Sequence, residues 1–197
     1  MSDTDAAAPA GDFLAGRSVT GEDVLSRALA GDTAAFGLLV REHQRTVFSL
    51  GLRMLSDRHK AEDLAQEVFL QLHRNLASVT STAHLVFWLR KVTVNRAIDR
   101  LRREPKIQAV PLEEAEGLAG ESLDQDPLLS RQLRALVGQL APAARAVLLL
   151  RYQEDMDPTQ IAKALNLSIN TVKSHLKRSL ARLRRQMDEA SAVTGKA

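Results

Sequence analysis

The chain has 197 residues, an apolar fraction of 45%, aromatics at only 4%, no cysteine and a formal net charge of +3. That length bounds the fold to one large or two small domains, and the missing cysteines exclude disulfides, thiolate metal sites and thiol switches within it. No stretch approaches the run of about 20 uncharged apolar residues that crosses a bilayer, and no apolar run with period two marks a strand, so a nearly all-helical protein is predicted.

Residues 1–19 are acidic and Ala-rich and lack the basic region and apolar core of a secretory signal, so they are expected to form a loose tail in a cytoplasmic protein. Thr20-Gly21-Glu22-Asp23 resembles a capping box with Asp in place of the usual Glu or Gln, and opens a short helix to about Ala30. Gly31-Asp32 breaks and recaps the chain. A long helix follows from Thr33 to about Leu55, with Phe36, Leu39, Val40, Val47, Leu50 and Met54 inward. Ser56 or Asp57 starts a third helix, Arg58 to about Leu76, whose buried stripe is Ala61, Leu64, Ala65, Val68, Phe69 and Leu72. After a polar loop at 77–84, a fourth helix spans about Leu85 to Arg103 and completes a first domain over 20–103.

Residues 104–127 hold Pro105, Pro111, Gly117, Gly120 and Pro127, lack a helical period, and carry seven carboxylates (Glu104, Glu113, Glu114, Glu116, Glu121, Asp124, Asp126) against Lys106 alone. They read as a flexible acidic linker. Helices over Leu128–Gln139 and Pro142–Tyr152 come next. A helix-turn-helix then begins with Asp157 as N-cap and Pro158 in the first turn, where its missing N–H costs nothing. Its first helix is expected over Pro158–Ala164. Asn166 takes the turn position with positive φ and Ser168 caps the second helix, whose apolar stripe is Val172, Leu176, Leu180 and Leu183. The fold class is therefore all-α: two small helical domains, the second a four-helix domain over 128–187 with a helix-turn-helix, then a short tail at 188–197.

The basic charge concentrates behind the acidic linker, which is the electrostatic footprint of a phosphate-binding module. Most basic helix faces are simply solvated. Here, however, two helices too short to stand alone are joined by a capped turn, and the second offers polar and basic groups opposite its apolar stripe. Ser168, Asn170, Thr171, Lys173, Ser174, Lys177 and Arg178 are the candidate contacts to a DNA major groove.

The third helix contains Ala61-Glu62-Asp63-Leu64-Ala65-Gln66-Glu67-Val68-Phe69-Leu70, and the fourth contains Trp88-Leu89-Arg90-Lys91-Val92-Thr93-Val94-Asn95-Arg96-Ala97-Ile98-Asp99-Arg100-Leu101-Arg102-Arg103. Over 32–103 and 133–185 the chain resembles the extracytoplasmic-function (group four) sigma factors of bacterial RNA polymerase. The resemblance implies that Asp63, Gln66 and Glu67 dock on the clamp helices of the largest polymerase subunit. Their i, i+3 and i+4 spacing forms one acidic and polar patch suited to Arg-rich partners, and equally an ordinary solvated face. It further implies that the fourth helix meets the minus-10 element: Arg90, Lys91, Arg96, Arg102 and Arg103 at phosphates, Asn95 and Asp99 near bases, and the hydroxyls of Ser81 and Thr82 at a flipped base. Asp99 alternatively pairs with Arg96 or Arg103, and Trp88 is either core or a stacking platform.

As implied partners the resemblance gives core polymerase (clamp helices, and the flap of the second-largest subunit), promoter DNA read at the minus-10 and minus-35 elements, and an anti-sigma factor, with no membrane insertion. Its linker would lie in the polymerase cleft. No enzymatic activity or cofactor is expected: paired carboxylates can serve acid/base catalysis, but no motif places a partner beside Asp63 and Glu67. His43, His59, His73, His84 and His175 fall at no helical metal-binding spacing, so no metal is expected either. Two rival readings remain. A stand-alone helix-turn-helix regulator leaves the Ala61–Leu70 and Trp88–Arg103 motifs without a task, and a helical enzyme requires a polar pocket in the first domain.

Overall fold

Each helix of the computed structural model, which describes residues 20–103 and 127–194, starts and stops where the side chains supply a cap. Thr20 and Asp23 form a reciprocal capping box at 3.1 and 3.2 Å and open α1 (Gly21–Leu29). Gly31, at φ 91°, turns the chain, and Asp32 accepts from the Ala35 N–H to start α2 (Thr33–Leu55). Ser56 stops α2 in the left-handed region, leaving Asp57 to cap α3 (Arg58–Asn75) through the Lys60 N–H. A 3-10 turn at Leu76–Ser78 leads into α4 (Thr82–Arg103).

The fourth helix begins three residues before the Leu85 expected from the apolar pattern. Two caps explain the shift. Ser81 Oγ accepts from the His84 N–H at 3.1 Å, and the Glu22 carboxylate accepts from both the N–H and the hydroxyl of Thr82 at 3.0 and 2.6 Å. This ties the start of α4 to α1.

In the second half, α5 (Pro127–Gly138) and α6 (Pro142–Tyr152) are followed by α7 (Pro158–Leu165) and α8 (Ile169–Thr194). Asp157 and Gln160 box the start of α7, and Asn166 turns the chain at φ 52°. Ser168 Oγ accepts from the Thr171 N–H at 3.1 Å at the start of α8. Among the described residues all regular structure is helical. The acidic linker at 104–126 and the tails at 1–19 and 195–197 lie outside the described residues.

Leu39, Leu50 and Met54 of α2, Leu64, Val68 and Leu72 of α3, and Leu85 and Val94 of α4 are fully buried. Gly51 lets α3 approach α2 closely: a Cβ there would sit 3.2 Å from a Leu64 methyl. The core does not stop at residue 103. Val147 and Leu150 of α6, Met156, Ile161 of α7 and Val172 of α8 continue the same contiguous apolar cluster, because α6 and α7 pack on α4 and α6 also on α2. A smaller cluster of Leu140, Ala144, Leu148 and Leu183 joins α6 to α8, with Leu136 of α5 and Leu180 of α8 packed against it.

Some expected core positions are only partly buried. Phe36, Val40, Ala65 and Phe69 line an open groove between α2 and α3, and Leu133 is exposed.

Candidate nucleic-acid interface

α8 is fixed by Val172, Ser179 and Leu183, which are buried, and by Leu176 and Leu180, which are half-buried. Asn170, Lys173, Lys177 and Arg178 therefore point away from the core and are exposed, with Ser174 half-buried among them. Ser168 and Thr171 bond each other through their hydroxyls at 2.8 Å while capping the helix. Arg178 folds back to donate to the Ser174 carbonyl at 3.3 Å. Among the described residues no carboxylate pairs with Lys173, Lys177 or Arg178, so this face offers uncompensated positive charge of a size that fits a major groove.

α3 and α4 make a second charged face. Glu67 is not a free carboxylate as expected: it accepts from Arg96 at 2.8 Å and from Arg100 at 2.7 Å. Arg96 also donates to Gln71 at 2.8 Å, and Arg100 to the Lys60 carbonyl at 2.9 Å. Neither Arg96 nor Arg103 forms an ion pair with Asp99, because the arginines of α4 that face α3 find Glu67 first. Asp63 and Gln66 are exposed on the outer side of α3. Beside them Leu70 is 59% exposed, at the edge of the groove of about 930 Å³ lined by Phe36, Val40, Phe48 and Phe69.

A third side of α4 faces the helix-turn-helix half. Arg90 Nε donates to Glu154 at 2.7 Å, and Glu154 is only 8% exposed. Burial pushes the Arg53 guanidinium below its ordinary value, opposed by the field of Glu154, so two cations of the first half surround this one carboxylate. Burial likewise lowers His43, which also feels Arg90. The Asn95 amide donates to the Ala164 carbonyl of α7 at 2.9 Å, and the Lys163 ammonium lies 5.6 Å from the centre of the Phe87 ring. Trp88 packs against the apolar core.

Family profiles match both halves: Sigma-70 region 2 over residues 39–106, and Sigma-70, region 4 over residues 130–183. The ECF RNA polymerase sigma factor SigW of Bacillus subtilis is 31% identical over 170 residues, covering 80% of this chain and 91% of SigW. The chain belongs to the ECF sigma factors of the sigma-70 family. Its fold matches the solved structure of CnrH in complex with the cytosolic domain of CnrY, with a TM-score of 0.63, 20% identity and coverage of 86% of this chain and 99% of that one. It also matches the sigma factor RpoE in complex with the anti-sigma factor NepR from Bartonella quintana, with a TM-score of 0.61, 16% identity and coverage of 78% and 96%.

In this sigma factor the region 2 candidates separate into two groups. Lys91, Asp99, Arg102 and Arg103 are exposed. Ser81, Thr82, Arg90, Asn95 and Arg96 are engaged: the two hydroxyl residues in helix capping, Arg90 and Asn95 against region 4, and Arg96 with Glu67. This corrects the picture of free hydroxyls in a loop and of an evenly accessible α4. The physical reason is that polar groups at a helix start or a buried contact find protein partners before solvent. Sequence reasoning missed Phe87, Leu70 and Glu154. Leu70 stood in the quoted motif as a large apolar residue off the buried stripe. Glu154 had no signal, since its partner Arg90 is 64 residues away.

Proposed function

We propose that this ECF sigma factor docks core RNA polymerase through α3, contacts the minus-10 element through α4 and reads the minus-35 element through α8. The observation that carries the reading is the outer face of α3. Asp63, Gln66 and an exposed Leu70 adjoin an apolar groove, a combination of apolar centre and polar rim that suits a protein partner rather than a nucleic acid. A stand-alone regulator would have no use for it.

The residue roles follow from accessibility. Lys91, Arg102 and Arg103 grip phosphates, Asp99 lies at base level, and Arg90, Asn95 and Arg96 join them once their protein partners let go. Lys173, Lys177 and Arg178 enter the major groove, with Asn170 and Ser174 beside them and Ser168 and Thr171 at the helix start, where backbone N–H groups meet phosphate. Melting is driven by binding: each flipped base costs a few kcal/mol, which capture by region 2 offsets. The chain performs no chemistry of its own. Catalysis belongs to the polymerase, the linker lies in its cleft and region 4 meets its flap. The protein acts in the cytoplasm under an anti-sigma factor, a reading supported by the complex in which RpoE was solved with NepR. No described helix is long and apolar enough to cross a membrane.

Run-off transcription with core polymerase tests the reading, with competition for core as its sharper arm. Asp63→Arg and Leu70→Glu, both at exposed positions, are expected to lower affinity for core about tenfold or more while leaving the thermal unfolding curve unchanged. Full competition by both variants would remove α3 from the docking face.

A further inference from the structure

The contacts between α4 and the helix-turn-helix half fall on one side of α4: Phe87, Arg90 and Asn95, at i, i+3 and i+8. Each is met by a group that does what a DNA strand would do. The Glu154 carboxylate takes the Arg90 guanidinium at 2.7 Å, as a phosphate would. The Ala164 carbonyl accepts from the Asn95 amide at 2.9 Å, as a base acceptor would. The Lys163 ammonium covers the Phe87 ring, on which a base would stack. The apolar cluster running from α2 and α4 into α6 and α7 holds these groups in register.

The opposite is true of the other reader. Lys173, Lys177 and Arg178 of α8 point away from region 2 and are exposed.

We infer that this packing is a half-masked state of the free sigma factor, in which α7 and Glu154 occupy the strand-binding face of α4 while the minus-35 reader stays open. The inference rests on the proposed promoter roles of α4 and α8. It sets an order of events: the free chain binds a minus-35 duplex, but takes a minus-10 strand only by separating its two halves. The apparent affinity for the strand is then its intrinsic affinity scaled by the fraction of open molecules. Core polymerase, by holding the two regions apart, removes that penalty.

The test uses the full chain and a promoter selected from a randomised template pool by transcription with the holoenzyme. A labelled single strand carrying the selected minus-10 sequence and a duplex carrying its minus-35 sequence are the probes. Without any substitution, saturating the parent with the minus-10 strand is expected to raise the radius of gyration measured by small-angle scattering, and saturating it with the duplex is not. Glu154→Lys, which sets a third cation beside Arg90 and Arg53, is expected to expand the free chain and tighten strand binding about tenfold or more, with duplex binding unchanged. Glu189→Lys carries the same charge change at an exposed site on α8 and controls for bulk electrostatics, with strand affinity expected to stay within about twofold of the parent.

The inference is overturned if the free parent is already extended, or if saturating strand leaves its radius unchanged. Expansion by Glu154→Lys without tighter strand binding overturns it equally. A holoenzyme that selects no sequence from the pool overturns the promoter reading and the mask together, whereas a selected strand that binds the compact parent overturns the mask alone.

Discussion

Glu22 shows how a single carboxylate sets the start of the longest DNA-facing helix of region 2. It lies on α1, yet it accepts both polar hydrogens of Thr82 at the first residue of α4. Those two hydrogen bonds, side chain first and backbone second, hold its carboxyl below the ordinary 4.5. A carboxylate depressed in the folded state contributes stability above its unfolded pKa, and that contribution is lost as pH falls through the lower folded value. The difference in melting temperature between the parent and Glu22→Gln is therefore expected to be constant near neutrality. It should begin to shrink near pH 4.5 and vanish below the depressed value. A difference that does not change with pH would mean that the Thr82 contact is too solvated to matter.

Arg145 and α8 carry the argument at the scale of whole helices. Arg145 on α6 is 7% exposed and donates to the Met54 carbonyl at the end of α2 and to the Gly138 carbonyl at the end of α5. A cation there satisfies acceptors that helix ends leave open and complements both helix dipoles, though burial lowers its pKa. Arg145→Met keeps the aliphatic stem and strands both carbonyls, for an expected loss of about 3 kcal/mol by denaturant unfolding. A loss under about 1 kcal/mol would show that water replaces the guanidinium. On α8, base readers and backbone grips separate by measurement. Lys177→Ala or Arg178→Ala is expected to cost about 1–3 kcal/mol of discrimination between matched and scrambled minus-35 duplexes, while Arg184→Ala leaves preference unchanged. Equal losses on both duplexes across a salt series would assign the helix to the backbone alone.

Across the whole molecule, regions 2 and 4 share one apolar cluster, although roughly half of its members belong to helices that begin beyond the linker or end before it. Burying the same surface in both halves makes their unfolding one event. Calorimetry of the parent is expected to show one transition, and Glu154→Lys to split it in two by leaving Arg90 and Arg53 facing a like charge. Two transitions in the parent would show that the shared cluster does not couple the halves.

What the sequence determined by itself was local. Caps at Thr20, Asp32, Asp57 and Asp157, the left-handed turn at Asn166 and the stripe Val172–Leu183 are written within a few residues of each other. Helix bounds and the outward face of α8 follow from them without any knowledge of the rest. The motifs of α3 and α4 named the family for the same reason. Tertiary structure alone decided which of those polar residues are free. Glu67 is spent on Arg96 and Arg100, Thr82 on Glu22, Arg90 on Glu154 and Asn95 on Ala164, partnerships spanning 29 to 69 residues. Periodicity reports which side of a helix is apolar but not what packs beside it, so a polar residue with a distant partner and one waiting for DNA look alike until the chain is folded.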